Sequence, residues 1–395
     1  MRELHMRRTN RIVPTYTGDV SGACSALFEL GGMVVIHDPS GCNSTYNTHD
    51  ETRWYDHDSL IFITGLTERD AILGNDDKLV HDVVEAAHEL SPRFVALCNS
   101  PIPFISGTDF RAICKLVERQ CDVPCFYVRT NAMHDYVTGA DNAFVALAER
   151  FVVPCERRKS TLNILGATPL DLGIAGSDAS LRDFAHRAGF EVTSCWAMGS
   201  SLDELVHAAE AEVNLVVSAT GLGVARLLRE RFGTPYVVGM PVGLPDDGLA
   251  EGTWAYELAE ALREAVATGE CRWPCRDGRG VTQPAGEACQ LVGEPVAMGS
   301  LACAMGRELG VEGRVVCPLE AASELLAPHD TRVEGEEGVE ETLVAARLVV
   351  ADALYAPVVP SKARLVALPH QAFSGRNGWK TAHDLARLDV RELLA

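Results

Sequence analysis

Short apolar runs, each followed by a segment with apolar residues at helical spacing, recur along almost the whole chain. LIFITG (60–65) precedes DKLVHDVVEAAHEL (77–90), RFVALC (93–98) precedes GTDFRAICKLVERQ (107–120), and VPCFYV (123–128) precedes a helical stretch over 139–151. Thr108 is the expected N-cap of the 107–120 helix. Strands that alternate with helices belong to a parallel sheet covered on both faces. After the joint ERRKS (156–160) the rhythm restarts with TLNILGA, FEVTSC, NLVVSA and TPYVVG as strands, and SDASLRDFAHRAG, SLDELVHAAEA and GLGVARLLRERFG as helices. A long helix over 253–267 and a loop rich in Cys, Arg, Gly and Pro lead to a third set, with GRVVCPL, ARLVVADALY and ARLVALP. The 395 residues exceed what one core organises. The pattern predicts an α/β chain of three tandem Rossmann-like parallel-sheet domains around a central cleft, at 1–155, 156–268 and 269–395. Ligands in such sheets sit beyond the carboxyl ends of the strands.

Charge and hydropathy remove several classes of partner. A net charge of −20 argues against nucleic acid and against an anionic membrane surface. No apolar run reaches the roughly 20 residues of a membrane span. The first residues, MRELHMRRTNR, lack the apolar core of a signal peptide, so a cytoplasmic location is expected. Thiols stay reduced there, so the 13 cysteines point to burial, metal or redox chemistry rather than disulfides.

Three of these cysteines stand out. Cys24 follows Ser-Gly-Ala, Cys42 closes His-Asp-Pro-Ser-Gly-Cys after the apolar run MVVIH, and Cys98 ends RFVALC before a Pro-rich loop. Thiols at strand ends or in Gly and Pro turns are placed for a metal cluster. Small neighbours admit inorganic sulfide, and free N–H groups can point at it. The plainer reading of a buried cysteine is a small hydrophobe. Cys271, Cys275 and Cys289 offer three local ligands where zinc or a cluster needs four. The stretch 46–58, YNTHDETRWYDHD, is either a solvated loop or a docking surface beyond Cys42, and 130–136, with His134, falls on the ligand side of a strand. Acidic GEEGVEET (335–342) reads as a solvated loop or helix start.

The order of motifs carries a resemblance. Gly22-Ala-Cys24, His37 to Cys42, Leu66-Thr-Glu-Arg-Asp-Ala-Ile-Leu-Gly-Asn-Asp-Asp-Lys78-Leu, and Cys98 before Gly107-Thr-Asp109 resemble the first domain of the nitrogenase component 1 superfamily. The likeness continues at 214–235 and, more faintly, at Gly293-Glu-Pro-Val and Phe373-Ser-Gly375. It implies a nitrogenase-like oxidoreductase in which Cys24, Cys42 and Cys98 bind an iron–sulfur cluster. That cluster is a 4Fe-4S cubane or a P-cluster-like 8Fe cluster. It would lie at the interface of a homodimer, or of a heterodimer or heterotetramer with a related component 1 subunit. Electrons would come transiently from a separate ATP-dependent iron–sulfur reductase. The chain has no G-x-x-x-x-G-K-[ST] loop, so ATP is the partner's business.

The second and third units depart from the nitrogenase pattern. Ser218 stands where the family's cofactor-bearing cysteine would be, and a hydroxyl is a poor ligand for soft iron. His370 precedes Phe373-Ser-Gly as the counterpart of the cofactor histidine, with spacing one residue short, and Cys195 ends the preceding strand. His370, Cys195 and His134 are therefore the candidate catalytic residues. The expected function is reduction of a substrate in the inter-domain cleft. The alternative is a scaffold that assembles a metallocluster or a tetrapyrrole cofactor.

Overall fold

The computed structural model describes residues 10–14, 18–39, 51–54, 57, 60–173, 176–245, 248–280, 284 and 286–395. Three parallel sheets follow one another along the chain. The first part runs α1 (Asp19–Leu27), β1 (Met33–His37), β2 (Leu60–Ile63), α2 (Glu68–Leu73), α3 (Asp76–Leu90), β3 (Val95–Asn99), α4 (Pro101–Ser106), α5 (Phe110–Cys121), β4 (Cys125–Val128) and α6 (Tyr136–Phe151). Its strand order is β2-β1-β3-β4, all parallel, with Ile36 level with Cys98. The next part runs β5 (Thr161–Leu165), α7 (Pro169–Leu172), α8 (Ser177–Arg187), β6 (Glu191–Cys195), α9 (Leu202–Val206), β7 (Val213–Val216), α10 (Leu222–Phe232), β8 (Tyr236–Val238) and α11 (Trp254–Thr268). Its order, β6-β5-β7-β8, repeats the first.

The last part runs α12 (Pro274–Asp277), β9 (Cys289–Val292), α13 (Pro295–Leu309), β10 (Gly313–Cys317), β11 (Thr331–Arg332), α14 (Gly335–Leu343), β12 (Leu348–Ala351), β13 (Arg364–Ala367), α15 (Gln371–Ser374) and α16 (Val390–Leu394). Here the order is β11-β10-β9-β12-β13. Each sheet therefore has a switch point, between β1 and β3, β5 and β7, and β9 and β12. There neighbouring connections leave in opposite directions and open a crevice at the carboxyl ends.

Period-two alternation explains how the first sheet is covered. Met33, Val35, Val95 and Leu97 face α3 and α5 in one buried cluster with Val83, Ile113 and Val117. Val34, Ile36, Ala96 and Cys98 face the other way, into a core that also contains α1, α6 and both remaining sheets. Helix starts follow capping chemistry. Asn75 accepts from the Lys78 N–H at the head of α3, and Asp135 accepts from Val137 and Thr138 at the head of α6. The cap of α5 is Asp109, accepting from Ala112, and not the expected Thr108. The acidic stretch 335–342 is helical in α14, with Val339 and Leu343 buried.

The crossing of α1 and α6 is the tightest backbone approach in the first part. A Cβ on Gly22 would stand 2.0 Å from the Tyr136 carbonyl oxygen, and one on Gly139 1.8 Å from that of Asp19. Only glycine permits this distance at either position.

Candidate cluster site and central cleft

Cys98 is the next-to-last residue of β3, at the first switch point, as its apolar run predicts. Cys24 is not in a turn. It lies within α1, one residue before Ser25, and both are fully buried. Gly22 serves the α1–α6 crossing rather than sulfide access, which explains the small residues before Cys24 by packing. Cys42 lies outside the described residues. The two described thiols share one face of the sheet. Burial pushes the Cys98 thiol well above its ordinary value, and the neighbouring Cys24 and Asp19 push the same way. Asp19 is itself buried and raised, although it accepts from the Asn131 and Ala132 N–H groups at 2.7 and 2.8 Å.

Two buried polar atoms nearby have no partner: Ser25 Oγ, next to Cys24 in α1, and Asn99 Oδ1, which alternation puts on the opposite face of β3 from Cys98. Orphaned polar atoms call for a reason, because each costs about 1–3 kcal/mol when buried unpaired. Two buried thiols on one face of the sheet, with the unpaired Ser25 hydroxyl next to one of them, fit a polar, thiolate-bound group.

The other motifs of the first part close around one cavity of about 440 Å³. It is lined by His37, Thr64, Asp70, Asn75, Lys78 and Asp109, among others. His37 follows the β1 core positions, and its Nδ1 is 2.7 Å from Thr64 Oγ1. Burial lowers its affinity for a proton. On the cavity rim, Ile72, Leu73, Phe104 and Ile105 of α2 and α4 are exposed at 73, 71, 49 and 76%. Exposed large apolar side chains gathered on two adjacent helices mark a contact surface.

The stretch 46–58 falls partly outside the described residues, which include 51–54 and 57 of it. Within it, Glu51 and Arg53 are buried rather than solvated. Arg53 donates to Glu51 Oε1 at 2.7 Å, to Glu29 Oε1 at 3.1 Å, and to the Ser25 and Ala197 carbonyls at 2.9 and 2.6 Å. It also lies 4.8 Å from the Phe28 ring centroid. The guanidinium thus ties α1 to the chain just after β6. Sequence reading missed this, because a charged loop and a buried ion-pair network have the same composition.

Residues after strands of the second and third sheets, with Tyr136 of α6, gather at a common centre. Asp171 follows β5, Ser218 to Thr220 follow β7, Glu294 follows β9, Asp352 follows β12 and His370 follows β13. Tyr136 at the head of α6 donates to Asp171 Oδ1 at 2.5 Å. The His370 Nε2 is 3.6 Å from the same oxygen, and neither ring nitrogen has a hydrogen-bond partner. Glu294 caps α13, accepting from Val296 and Ala297, and it also accepts from Ala219 of the second sheet at 2.8 Å. Burial first, and then Asp171, push Glu294 up to about 8. The His370 backbone N–H donates to Asp352 at 2.7 Å. The His370 ring packs on Phe373 and Tyr136, at 4.6 and 6.2 Å between centroids. The space left between Asp171, Asp352 and His370 is about 20 Å³. That is about the room of one water molecule.

Of the predicted cleft residues, His370 reaches this centre and Ser218, Cys195 and His134 do not. Ser218 is buried, but its hydroxyl is 2.6 Å from Thr220 Oγ1 and accepts from the Thr220 N–H, so it closes a local turn. Cys195 ends β6, the outer strand of the second sheet, on the far side of β5 from the switch point. Burial raises its thiol. His134 sits at the rim, half exposed, 3.0 Å from Glu320. Cys271, Cys275 and Cys289 do not gather. Cys275 is buried in α12 with its thiol on the Val238 carbonyl, and Cys289 opens β9. Sequence reading missed Asp171 and Glu294 as centre residues. Their available signal was a carboxylate within a few residues of a strand end.

The comparisons with known proteins agree with this architecture. Residues 19–267, well over half the chain, match the family model described as nitrogenase component 1 type oxidoreductase. The nitrogenase iron-molybdenum cofactor biosynthesis protein NifE of Clostridium pasteurianum is 24% identical over 242 residues, 56% of this chain and 51% of that protein. The chain thus spans about half the length of such curated relatives. A light-independent protochlorophyllide reductase subunit of Prosthecochloris aestuarii is 33% identical over 107 residues, 27% of this chain and 20% of that one. The solved structure described as nitrogenase Cp1 at pH 6.5 superposes with a TM-score of 0.68 at 16% identity, covering 99% of this chain and 93% of its own. That likeness shows the fold. No described helix is long and apolar enough to cross a membrane. With the family model matched from α1 to α11 and three parallel sheets in tandem, this chain belongs to the nitrogenase component 1 type oxidoreductase family.

Proposed function

We propose that the chain is the cluster-bearing subunit of a nitrogenase-like oxidoreductase. In this reading Cys24, Cys42 and Cys98 hold an iron–sulfur cluster in the first of three domains, bounded near 155 and 268. A related subunit completes the site, as a homodimer or in a heteromeric assembly, and a separate ATP-dependent iron–sulfur reductase supplies electrons. The observation that carries the reading is the first switch point. There Cys24 and Cys98 share one buried face, and the buried Ser25 hydroxyl next to Cys24 lacks a partner. The cluster would supply storage and release of single electrons. The chain's own residues bind and insulate it. Both thiols must lose protons to ligate iron, and burial opposes ionisation of Cys98 without metal, so cluster binding and folding of this end are coupled. The apolar rim of Ile72, Leu73, Phe104 and Ile105 is the surface a sister subunit would cover.

A scaffold role is the second reading. It is favoured by the likeness to cofactor biosynthesis proteins over 56% of the chain and by the closed centre. The test is anaerobic purification of the wild type and of Cys24→Ala, Cys42→Ala and Cys98→Ala. Iron analysis, paramagnetic resonance and light scattering then follow. Loss of iron in each variant, with an iron-loaded wild-type oligomer, is expected. Full iron retention in all three variants overturns the proposal. With reductase and ATP, repeated turnover separates an enzyme from a scaffold, which releases a bound cofactor once.

A further inference from the structure

Between α6 and β5 the chain runs along the edge of the second sheet, and one thiol there meets an imidazole and a carboxylate. Cys155 Sγ is 3.8 Å from His207 Nδ1, and His207 Nδ1 is 3.2 Å from Glu210 Oε1. Among the described residues this is the one group of three histidine, cysteine or acidic side chains whose ligand atoms all lie within 4.8 Å of one another. It lies outside the cluster motifs and the central cleft. We propose that Cys155, His207 and Glu210 form a mononuclear site for a borderline-soft divalent cation, zinc above all. An ion there clips the connection between the first and second sheets.

The geometry fits such an ion before any adjustment. A tetrahedral zinc with bonds of about 2.3 Å to sulfur and about 2.0 Å to nitrogen and oxygen separates S from N by about 3.5 Å and N from O by about 3.3 Å. The two measured separations, 3.8 and 3.2 Å, are within a few tenths of an ångström of those values. The ligand atoms are also held in place by backbone on both sides. The Val153 N–H donates to the Val206 carbonyl at 3.2 Å, and the Arg158 N–H to the Glu210 carbonyl at 2.8 Å. Cys155 lies between those two ties, and His207 is the C-cap of α9. The loop that presents the thiol and the turn that presents its partners are thus already joined, which lowers the ordering cost of binding.

The donor set selects the metal class. Thiolate with imidazole disfavours Mg²⁺ and Ca²⁺, which take oxygen ligands, and the carboxylate disfavours Cu(I). His207 is 54% exposed and Glu210 29%, so the fourth position opens to solvent and takes water. Without metal the thiol is protonated, because partial burial and the Glu210 charge both raise it. Ligation therefore releases that proton to solvent and puts the cation between two anionic ligands.

The test uses the full chain, purified anaerobically, with Co²⁺ as a spectroscopic stand-in for zinc. Difference spectra against the same sample before addition remove any cluster absorption. The expected result is tetrahedral cobalt absorption with a thiolate charge-transfer band, saturating at one ion per chain and bleached by one equivalent of Zn²⁺. Cys155→Ser abolishes the thiolate band, His207→Ala weakens binding at least tenfold, and both variants melt like the wild type without metal. Added Zn²⁺ raises the wild-type Tm and leaves that of Cys155→Ser unmoved. An unchanged cobalt spectrum in the Cys155→Ser, His207→Ala double variant overturns the proposal. So does a wild-type spectrum without a thiolate band, which would leave the trio as a surface ion pair beside a thiol.

Discussion

Gly139→Ala probes the contact that sets the position of Cys24. The added Cβ would stand 1.8 Å from the Asp19 carbonyl oxygen, a backbone atom that cannot rotate away. A comfortable C···O contact begins near about 3.3 Å, so α1 and α6 must separate by roughly 1.5 Å. A gap of about 0.5–1 Å already forfeits a quarter to a half of each dispersion contact across it. The contacts at stake are those of Val20, Ala23 and Leu27 with Val137, Ala140 and Phe144, all buried. Overpacking of this kind costs about 3 kcal/mol or somewhat more. The better helix propensity of alanine returns about 1 kcal/mol. The expected net loss is about 2–3 kcal/mol, which lowers Tm by roughly 5–10 °C where the first part melts as a unit of about 150 residues and by about 2–4 °C where the whole chain melts together. Gly18→Ala is the control. Nothing lies within 4 Å of its Cβ position and its φ is −78°, so its effect stays within about 0.5 kcal/mol. Gly22→Ala faces the reciprocal clash, and the double variant should cost less than the two singles together, because the first opens the gap for the second. Thermal melts by circular dichroism, with iron content measured in parallel, read both effects. A Gly139→Ala variant no less stable than Gly18→Ala would refute the packing argument.

Two further predictions concern the centre. Glu294 has its proton affinity raised to about 8. The folded chain therefore keeps a proton that the unfolded chain releases. The associated stability is present below the ordinary carboxyl pKa and is lost as pH rises through about 8. Melts taken across that window should show the wild type losing Tm and Glu294→Gln losing less of it, whereas identical slopes would mean that Glu294 is ionised throughout. His370 is buried with both ring nitrogens unpartnered. His370→Leu, which removes two unsatisfied polar atoms and keeps the bulk, should leave the unfolding free energy within about 1 kcal/mol of the wild type or raise it. Turnover with reductase then decides between a used centre, where activity falls, and a structural one, where it is unchanged.

Legibility in the sequence followed the range of the contacts. Strand and helix segments were readable because alternation within the first sheet, Val34 and Ile36 against Met33 and Val35, is a local signal that core packing reinforces. The Thr108 and Asp109 exchange shows its limit, since two adjacent cap-forming residues differ only in which side chain reaches the third N–H. Cys98 was read correctly as a strand-end thiol. Cys24 was misread as a turn residue because glycine and alanine beside a cysteine are as consistent with a close helix crossing as with a loop. Nothing local tells Glu51 and Arg53 apart from a solvated pair. Their burial depends on Glu29 and Ala197, the latter 144 residues away from Arg53.

The centre was the least legible part, and its construction explains why. Tyr136, Asp171, Glu294, Asp352 and His370 come from different connections of all three sheets, and each has a local task that a reader would assign first. Glu294 and Asp352 cap turns, and Asp171 accepts from Thr168 within its own short helix. Only the packing of the second and third sheets' carboxyl ends against the head of α6 makes them neighbours. That convergence also bears on function. These carboxylates are satisfied by backbone N–H groups and by Tyr136, and about 20 Å³ is left between Asp171, Asp352 and His370. Widening this space for a larger molecule requires the lining residues to move apart. Parting the units would break the Tyr136–Asp171 bond between the first and second parts and the Ala219–Glu294 bond between the second and third. The first and second parts are joined by the stretch between α6 and β5, which carries Cys155 against His207 and Glu210. If the centre is used and the parts separate about that joint, a cation bound there would oppose the motion. Substitutions at Cys155 would then alter substrate binding at the centre, read by titration with and without Zn²⁺, while leaving the iron content of the purified chain unchanged.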